Sequence, residues 1–222
     1  MNLTREKFVH MVEAVALKDT TTYEDTVKLA EACRQYDFHI CYGLNCFTPD
    51  LLQMLKNSRT LVGAPVGGSS IGCELEEVKL YDISKFLEMG CGEVDIIMNI
   101  PYLRTGRYEL ILSELKKARE LVRNTQLKVI IQSGMLNEKE IRIASELVLE
   151  SGADFVKTNT GFVGDTTIEQ VKIIRETVKD KIQIKAAGGI NGRDMIQQLL
   201  DLGVTRLGLS YGKAVTLAEQ LS

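Results

Sequence analysis

The chain has 222 residues, of which 45% are hydrophobic and 26% charged, a composition that buries a core and excludes disorder. Lys and Arg number 27 against 30 Asp and Glu, and the resulting net charge of −3 supplies no cationic field for a nucleic-acid backbone. No stretch approaches the roughly 20 apolar residues of a membrane span, and the charged N-terminal segment lacks an apolar signal core, so a cytoplasmic protein is expected.

Short apolar runs alternate with longer segments of helical period, without a Pro-, Gly- or Ser-rich linker, so one domain over residues 1–222 is expected. The predicted strands, in chain order, are Ala14–Leu17, Phe38–Cys41, Thr60–Ala64, Glu93–Met98, Lys128–Gln132, Phe155–Thr158, Gln183–Ala187 and Arg206–Leu209. Between them, Ile111, Leu115, Ala118 and Val122 form one helical stripe, and Ile141, Ala144 and Val148 another. Asn137 with Glu140 and Thr167 with Gln170 fit capping boxes, and Thr48 before Pro49 reads as a cap ahead of a first-turn proline. Eight strands alternating with helices fit a closed (β/α)8 barrel with a short N-terminal helix, and locally also an open doubly wound sheet. The barrel is favoured because no GxGxxG follows the first strand and polar residues gather late in the strands.

The five cysteines, Cys33, Cys41, Cys46, Cys73 and Cys91, form neither a CxxC pair nor a disulfide framework and read as reduced thiols. With only His10 and His39 as histidines, no metal and no other cofactor is expected.

Asp95 interrupts the apolar strand in GEVDIIMNI (92–100), sharing one face with Ile97 and Asn99 while Val94, Ile96 and Met98 take the other. A carboxylate inside a barrel needs a cationic or hydrogen-bonding partner. Two lysines offer it: Lys157 in ADFVKTNTGF and Lys185 in IQIKAAGGI, both late in strands. On pattern alone each is equally a lysine that snorkels or merely neutralises Asp95. The functional alternative is a pair whose mutual repulsion releases one amine as a nucleophile towards a carbonyl, with Asp95 relaying protons. Gly188 and Gly189 follow the strand of Lys185, GLSYG (208–212) follows the last strand and opens the final helix, and Gly161 lies nearby. Singly these are tight turns; together they fit a phosphate cradle at a helix N-terminus. GAPVGG (63–68) lacks a P-loop ending and reads as a strand-to-helix loop.

From about Thr60 to Gly212 the segments GAPVGG, EEVKLYDISKFLEMGCGEVDIIMNI, LKVIIQSGMLNEKEI, SGADFVKTNTGF, IKAAGGI and LGVTRLGLSYG occur in an order that resembles the deoxyribose-phosphate aldolase family. The resemblance implies a lysine Schiff base at Lys157, paired with Lys185 and Asp95. It also implies a phosphate held around Gly161, Gly188, Gly189, Gly208 and Ser210, and reversible cleavage of 2-deoxy-D-ribose 5-phosphate to acetaldehyde and glyceraldehyde 3-phosphate. It implies a sugar-phosphate ligand and a homo-oligomer, dimeric or larger. The sequence departs from the family pattern at Val12–Val15, where only Glu13 keeps an acid, at CYGLN (41–45), at Gln132–Ser133 in place of Glu-Thr, and at Tyr211 in place of a serine. A paralogous aldolase for another carbonyl phosphate, or a non-catalytic phosphosugar-binding barrel, therefore stands beside the main reading. Tyr211 is expected to narrow the phosphate end.

Overall fold

The computed structural model describes residues 3–221. Eight parallel strands close into a barrel in the order β1 to β8: β1 (Val12–Ala16), β2 (Ile40–Gly43), β3 (Leu61–Val66), β4 (Glu93–Ile97), β5 (Gln126–Ile130), β6 (Phe155–Lys157), β7 (Gln183–Ala187) and β8 (Val204–Ser210). The helices around it are α1 (Arg5–Met11), α2 (Tyr23–Tyr36), α3 (Thr48–Met54), α4 (Glu76–Met89), α5 (Ile100–Arg104), α6 (Tyr108–Leu121), α7 (Glu138–Ser151), α8 (Ile168–Val178), α9 (Gly192–Asp201) and α10 (Tyr211–Gln220). All eight expected strands are present, with ends displaced by up to two residues, and closure rules out the open sheet.

Alternation along the strands explains the two layers of the interior. Val94, Ile96, Val129, Val156, Ile184, Ala186, Leu207 and Leu209 are buried in one hydrophobic cluster with Ile111, Leu115, Ala118, Ile141, Ala144 and Val148 of the helical stripes. The residues that alternate with them point inward, and there Glu13, Glu93, Asp95, Lys128, Lys157 and Lys185 lie among buried Ile40, Tyr42, Ile130 and Phe155. No helix among the described residues is long and apolar enough to cross a membrane.

Helix starts follow local chemistry. Asn137 accepts from Glu140 N at 3.0 Å while its own N–H donates to Glu140 Oε2 at 2.9 Å, and Thr167 and Gln170 exchange the same pair of bonds at 3.2 Å each. Thr48 does not cap α3: Phe47 holds that position without a side-chain bond, and Thr48 is the first helical residue, with Pro49 in the first turn. Two glycine runs begin inside the expected strands, and those strands run on past their expected ends: β3 continues to Val66 and β8 to Ser210, so loop and helix begin later than glycine content implies. Gly63 is in the strand because a neighbour needs its space: a Cβ there would sit 2.2 Å from Cε1 of Tyr42.

Outside the barrel, Lys79 of α4 is buried and donates to Glu114 Oε1 of α6 at 2.9 Å and to the carbonyl of Ile97, the last residue of β4, at 3.1 Å. This pair ties two helices to the strand that carries Asp95. Removing one partner leaves a buried charge without compensation. Lys79→Met is therefore expected to cost about 3–5 kcal/mol in urea unfolding, and the double replacement Lys79→Met/Glu114→Leu to recover most of it.

Candidate active site

Asp95 extends from the middle of β4 into the barrel and is 1% exposed. Its register partner on β5 is Lys128, and across the barrel Lys157 and Lys185 are register partners on β6 and β7. Lys157 Nζ donates to Asp95 Oδ2 at 2.7 Å and Lys185 Nζ to the same oxygen at 2.5 Å. The three residues singled out from the sequence therefore meet at one atom, while Asn99 of the same expected face does not join them. β4 ends at Ile97, and Asn99 caps α5 by accepting from Tyr102 N at 3.0 Å.

The interior holds more charge than the alternation pattern indicated. Lys128 is a third buried lysine; its ammonium pairs with Glu93, with Glu13 Oε1 at 3.3 Å and with Asp95 Oδ1 at 3.4 Å. Glu13, the single acid kept in the N-terminal segment, pairs with Lys185. Glu93 also meets His39 Nε2 at 2.9 Å, and Tyr42 of β2 donates its hydroxyl to Asp95 Oδ1 at 2.7 Å. Lys128 and Glu93 were not legible as site residues, and Tyr42 was marked only as part of CYGLN. The first two stand at or near the start of their strands, where a charge reads as a flank, and tyrosine is an ordinary strand residue.

Three carboxylates, Glu13, Glu93 and Asp95, thus face three ammonium groups, Lys128, Lys157 and Lys185. The balance matters because each charge taken from water costs several kcal/mol unless it is paired. Burial would raise the Asp95 carboxyl, but Lys157, Lys185 and Lys128 outweigh it and hold it well below the usual carboxylate range. The Tyr42 hydroxyl is pushed well up, first by burial and then by Asp95, Glu13 and Glu93, so it stays a donor. Lys128 is raised: burial opposes its charge, but Glu13, Asp95 and Glu93 more than compensate.

Lys157 moves the opposite way from Lys128. Burial lowers it from 10.5 to about 8, partly opposed by Asp95 and aided by the positive charge of Lys185. At neutral pH this raises its free-amine fraction roughly 300-fold over an unperturbed lysine. Its side chain is 10% exposed, whereas those of Lys128 and Lys185 are closed to solvent. Standing last in β6, it opens to the C-terminal mouth of the barrel, where barrel enzymes carry their chemistry. An amine that is partly deprotonated and accessible beside a fixed carboxylate can attack a carbonyl.

The expected phosphate residues divide into two groups. Gly161, Gly188 and Gly189 all have left-handed φ, of +89°, +84° and +69°, and a Cβ on Gly188 would lie 2.9 Å from both Cα and N of Gly161. These turns pack together at the mouth, against the side chain of Asp165. Gly208 lies deeper: a Cβ there would meet Cβ of Ala187 at 2.6 Å and Cε of Lys185 at 3.6 Å, so its absence makes room beside the lysine. Ser210 is exposed and forms the N-cap of α10 without a side-chain bond.

The departing residues also find partners. Gln132 is buried with φ +53°; its Oε1 accepts from Thr160 N at 3.0 Å, and its Nε2 donates to Thr160 Oγ1 at 3.0 Å and to the carbonyl of Ser70. It ties the loops after β3 and β6 together. Ser133 Oγ bonds Gln170 at 2.9 Å. Cys41 faces outward to Cys33 of α2, and Tyr211 directs its hydroxyl to Asp25 Oδ1 of α2 at 3.4 Å.

The model of the DeoC/LacD family of aldolases matches residues 52–218. A deoxyribose-phosphate aldolase of Mycoplasma capricolum is 34% identical over 94% of this chain and 94% of its own length. One of Carboxydothermus hydrogenoformans is 36% identical over 94% of this chain and 93% of its own. The solved structure of the deoxyribose phosphate aldolase of Aeropyrum pernix, described as tetrameric, is 22% identical with a TM-score of 0.86, covering 98% of this chain and 92% of that one, a likeness of fold. With a closed barrel, a shared Asp95 oxygen and an accessible Lys157 beside it, this chain belongs to the DeoC/LacD family of aldolases.

Proposed function

We propose that the protein is a class I aldolase, a single barrel domain over residues 1–222. Lys157 forms a Schiff base with the aldehyde carbon of 2-deoxy-D-ribose 5-phosphate, and the product pair is acetaldehyde and D-glyceraldehyde 3-phosphate. The observation that carries the reading is the arrangement at Asp95 Oδ2, with one enclosed lysine and one accessible lysine on a single carboxylate oxygen. The free amine of Lys157 adds to C1, and loss of water from the carbinolamine leaves an iminium. Removal of the C3 hydroxyl proton breaks the C2–C3 bond, releases the three-carbon phosphate and leaves an enamine on Lys157. Protonation of C2 and hydrolysis then release acetaldehyde and restore the amine. Asp95, through a bound water, moves these protons, and Lys185 holds its charge in position. Amides and turns at Gly161, Gly188, Gly189, Gly208 and Ser210 receive the phosphate at the start of α10. The same reading takes the protein as cytoplasmic, supported by five unpaired cysteines, and as a homo-oligomer, supported by the tetrameric relative.

Borohydride reduction in the presence of 2-deoxyribose 5-phosphate should add a reduced substrate or acetaldehyde fragment to the peptide containing Lys157, and Lys157→Ala should abolish both adduct and cleavage. A folded protein that gives no adduct with this substrate sinks the proposal. Adducts formed only with other compounds in a panel of aldehyde and ketone phosphates would assign a different substrate, and saturable binding without turnover would mark a non-catalytic barrel.

The pH dependence gives a second test. Adduct formation should rise as Lys157 loses its proton through about pH 8. Lys185→Leu removes a neighbouring positive charge and leaves Asp95 Oδ2 to Lys157 alone, so the midpoint should move to higher pH, with turnover at pH 7 reduced about 100-fold or more and partly recovered at alkaline pH. An unmoved midpoint would remove Lys185 from the tuning role.

A further inference from the structure

Tyr42 stands at the centre of the charged interior, yet the reaction outlined above assigns it no step. Its hydroxyl donates to Asp95 Oδ1 at 2.7 Å and accepts from Lys128 Nζ at 3.1 Å. Its ring occupies the space left by Gly63 and lies 4.5 Å, centroid to Nζ, from Lys185. We propose that Tyr42 is a positioning residue for Asp95: by holding Oδ1 it leaves Oδ2 as the face shared by Lys157 and Lys185, and so it sets the reactivity of Lys157. The inference rests on the reading of Lys157 as the Schiff-base lysine and concerns what makes that lysine reactive.

The carboxylate is attached through a soft terminal torsion and is ringed by ammonium groups on three strands, so it could turn to face any of them. A neutral donor fixed by its own packing removes that freedom. Tyr42 is well suited because its ring is wedged where only glycine could stand on β3, and because Lys128 polarises the phenol and strengthens its O–H as a donor. A hydrogen bond to Oδ1 also spreads the charge of Asp95, which weakens its hold on the Lys157 proton. Removing the hydroxyl should concentrate that charge and keep Lys157 protonated to higher pH. The charged groups facing Tyr42 and Lys157 are Glu13 from β1, Glu93 and Asp95 from β4, Lys128 from β5, and Lys185 from β7. All of them remain in Tyr42→Phe, so the comparison isolates the hydroxyl.

The test is the pH profile of borohydride-trapped adduct at Lys157, measured with 2-deoxyribose 5-phosphate in wild type and Tyr42→Phe of equal thermal stability. The variant is expected to show a midpoint moved to higher pH, a trapping rate near neutral pH lower by roughly 3- to 10-fold, and convergence with wild type in alkali. Wild-type chain made with 3-fluorotyrosine, a stronger donor, should move in the opposite direction, and Tyr42→Phe made the same way should not. An unmoved midpoint, or a loss of rate equal at every pH, overturns the inference and leaves a packing role. If Tyr42→Phe does not fold, the fluorotyrosine arm decides alone: its midpoint either falls or the inference is wrong. Absence of adduct in wild type brings down the Schiff-base reading as well, whereas a wild-type adduct with an unshifted variant brings down only the role of Tyr42.

Discussion

The structure turns on the need to keep the Asp95 carboxylate ionised inside a closed barrel. A lone carboxylate there would protonate, and a single lysine beside it would form a pair that burial makes costly on both sides. The chain instead distributes three carboxylates among three lysines, so that every buried charge has an opposite neighbour. Barrel interiors are ordinarily layered with branched aliphatic side chains. Here many of those side chains are turned outward against the helices, and ion pairs share the inner face with Ile40, Tyr42, Ile130 and Phe155. The consequence for chemistry is asymmetry: Lys128 and Lys185 each touch at least two carboxylates, while Lys157, with one direct carboxylate partner, stands at the mouth. Burial lowers that lysine, and its position leaves its side chain the least enclosed of the three.

The constraint propagates beyond the barrel. Asp95 is useful only if β4 is held in register, and the buried Lys79–Glu114 pair grips the carbonyl at the end of that strand from outside. Gly63 and Gly208 are small for the same reason, the first yielding to the Tyr42 ring and the second to Ala187 and the Lys185 stem. A side chain at Gly63 would displace Tyr42 from the charge network, and one at Gly208 would displace Ala187 beside Lys185.

Much of this was legible in the sequence, and what was not has a physical reason. Short apolar runs between helical segments found all eight strands, and a carboxylate breaking an apolar strand found Asp95 and the need for Lys157 and Lys185. A charge stands out in a sequence when apolar residues flank it on both sides. Lys128 follows only Gln126–Leu127 in β5, and Glu93 opens β4, so both read as strand edges although the barrel buries them. Tyr42 carries no charge and was visible only as part of a departure from a family pattern. Gly63 and Gly208 fell both inside expected strands and in glycine runs read as turns; the strand reading holds, and at each a close neighbour fills the space where a side chain would be.

The departures from the family pattern sort by the same geometry. Gln132 uses both ends of its amide, accepting from Thr160 and donating to Ser70 and Thr160, a pairing that a carboxylate could not make because it has no hydrogen to donate. Its work is to join two loops at the mouth. Tyr211 bonds to Asp25 on α2 and so leans towards the outer helices, and Cys41 faces α2 rather than the interior. That leaves Glu13 and Tyr42, which both enter the charge network, one through Lys185 and the other through Asp95. Lost hydrogen bonds to a substrate hydroxyl would alter which sugar is accepted, whereas a changed neighbour of the reactive lysine alters the pH at which any carbonyl is attacked. At the centre of this barrel Glu13 and Tyr42 touch the partners of Lys157, so a change at either bears on the second of these two effects.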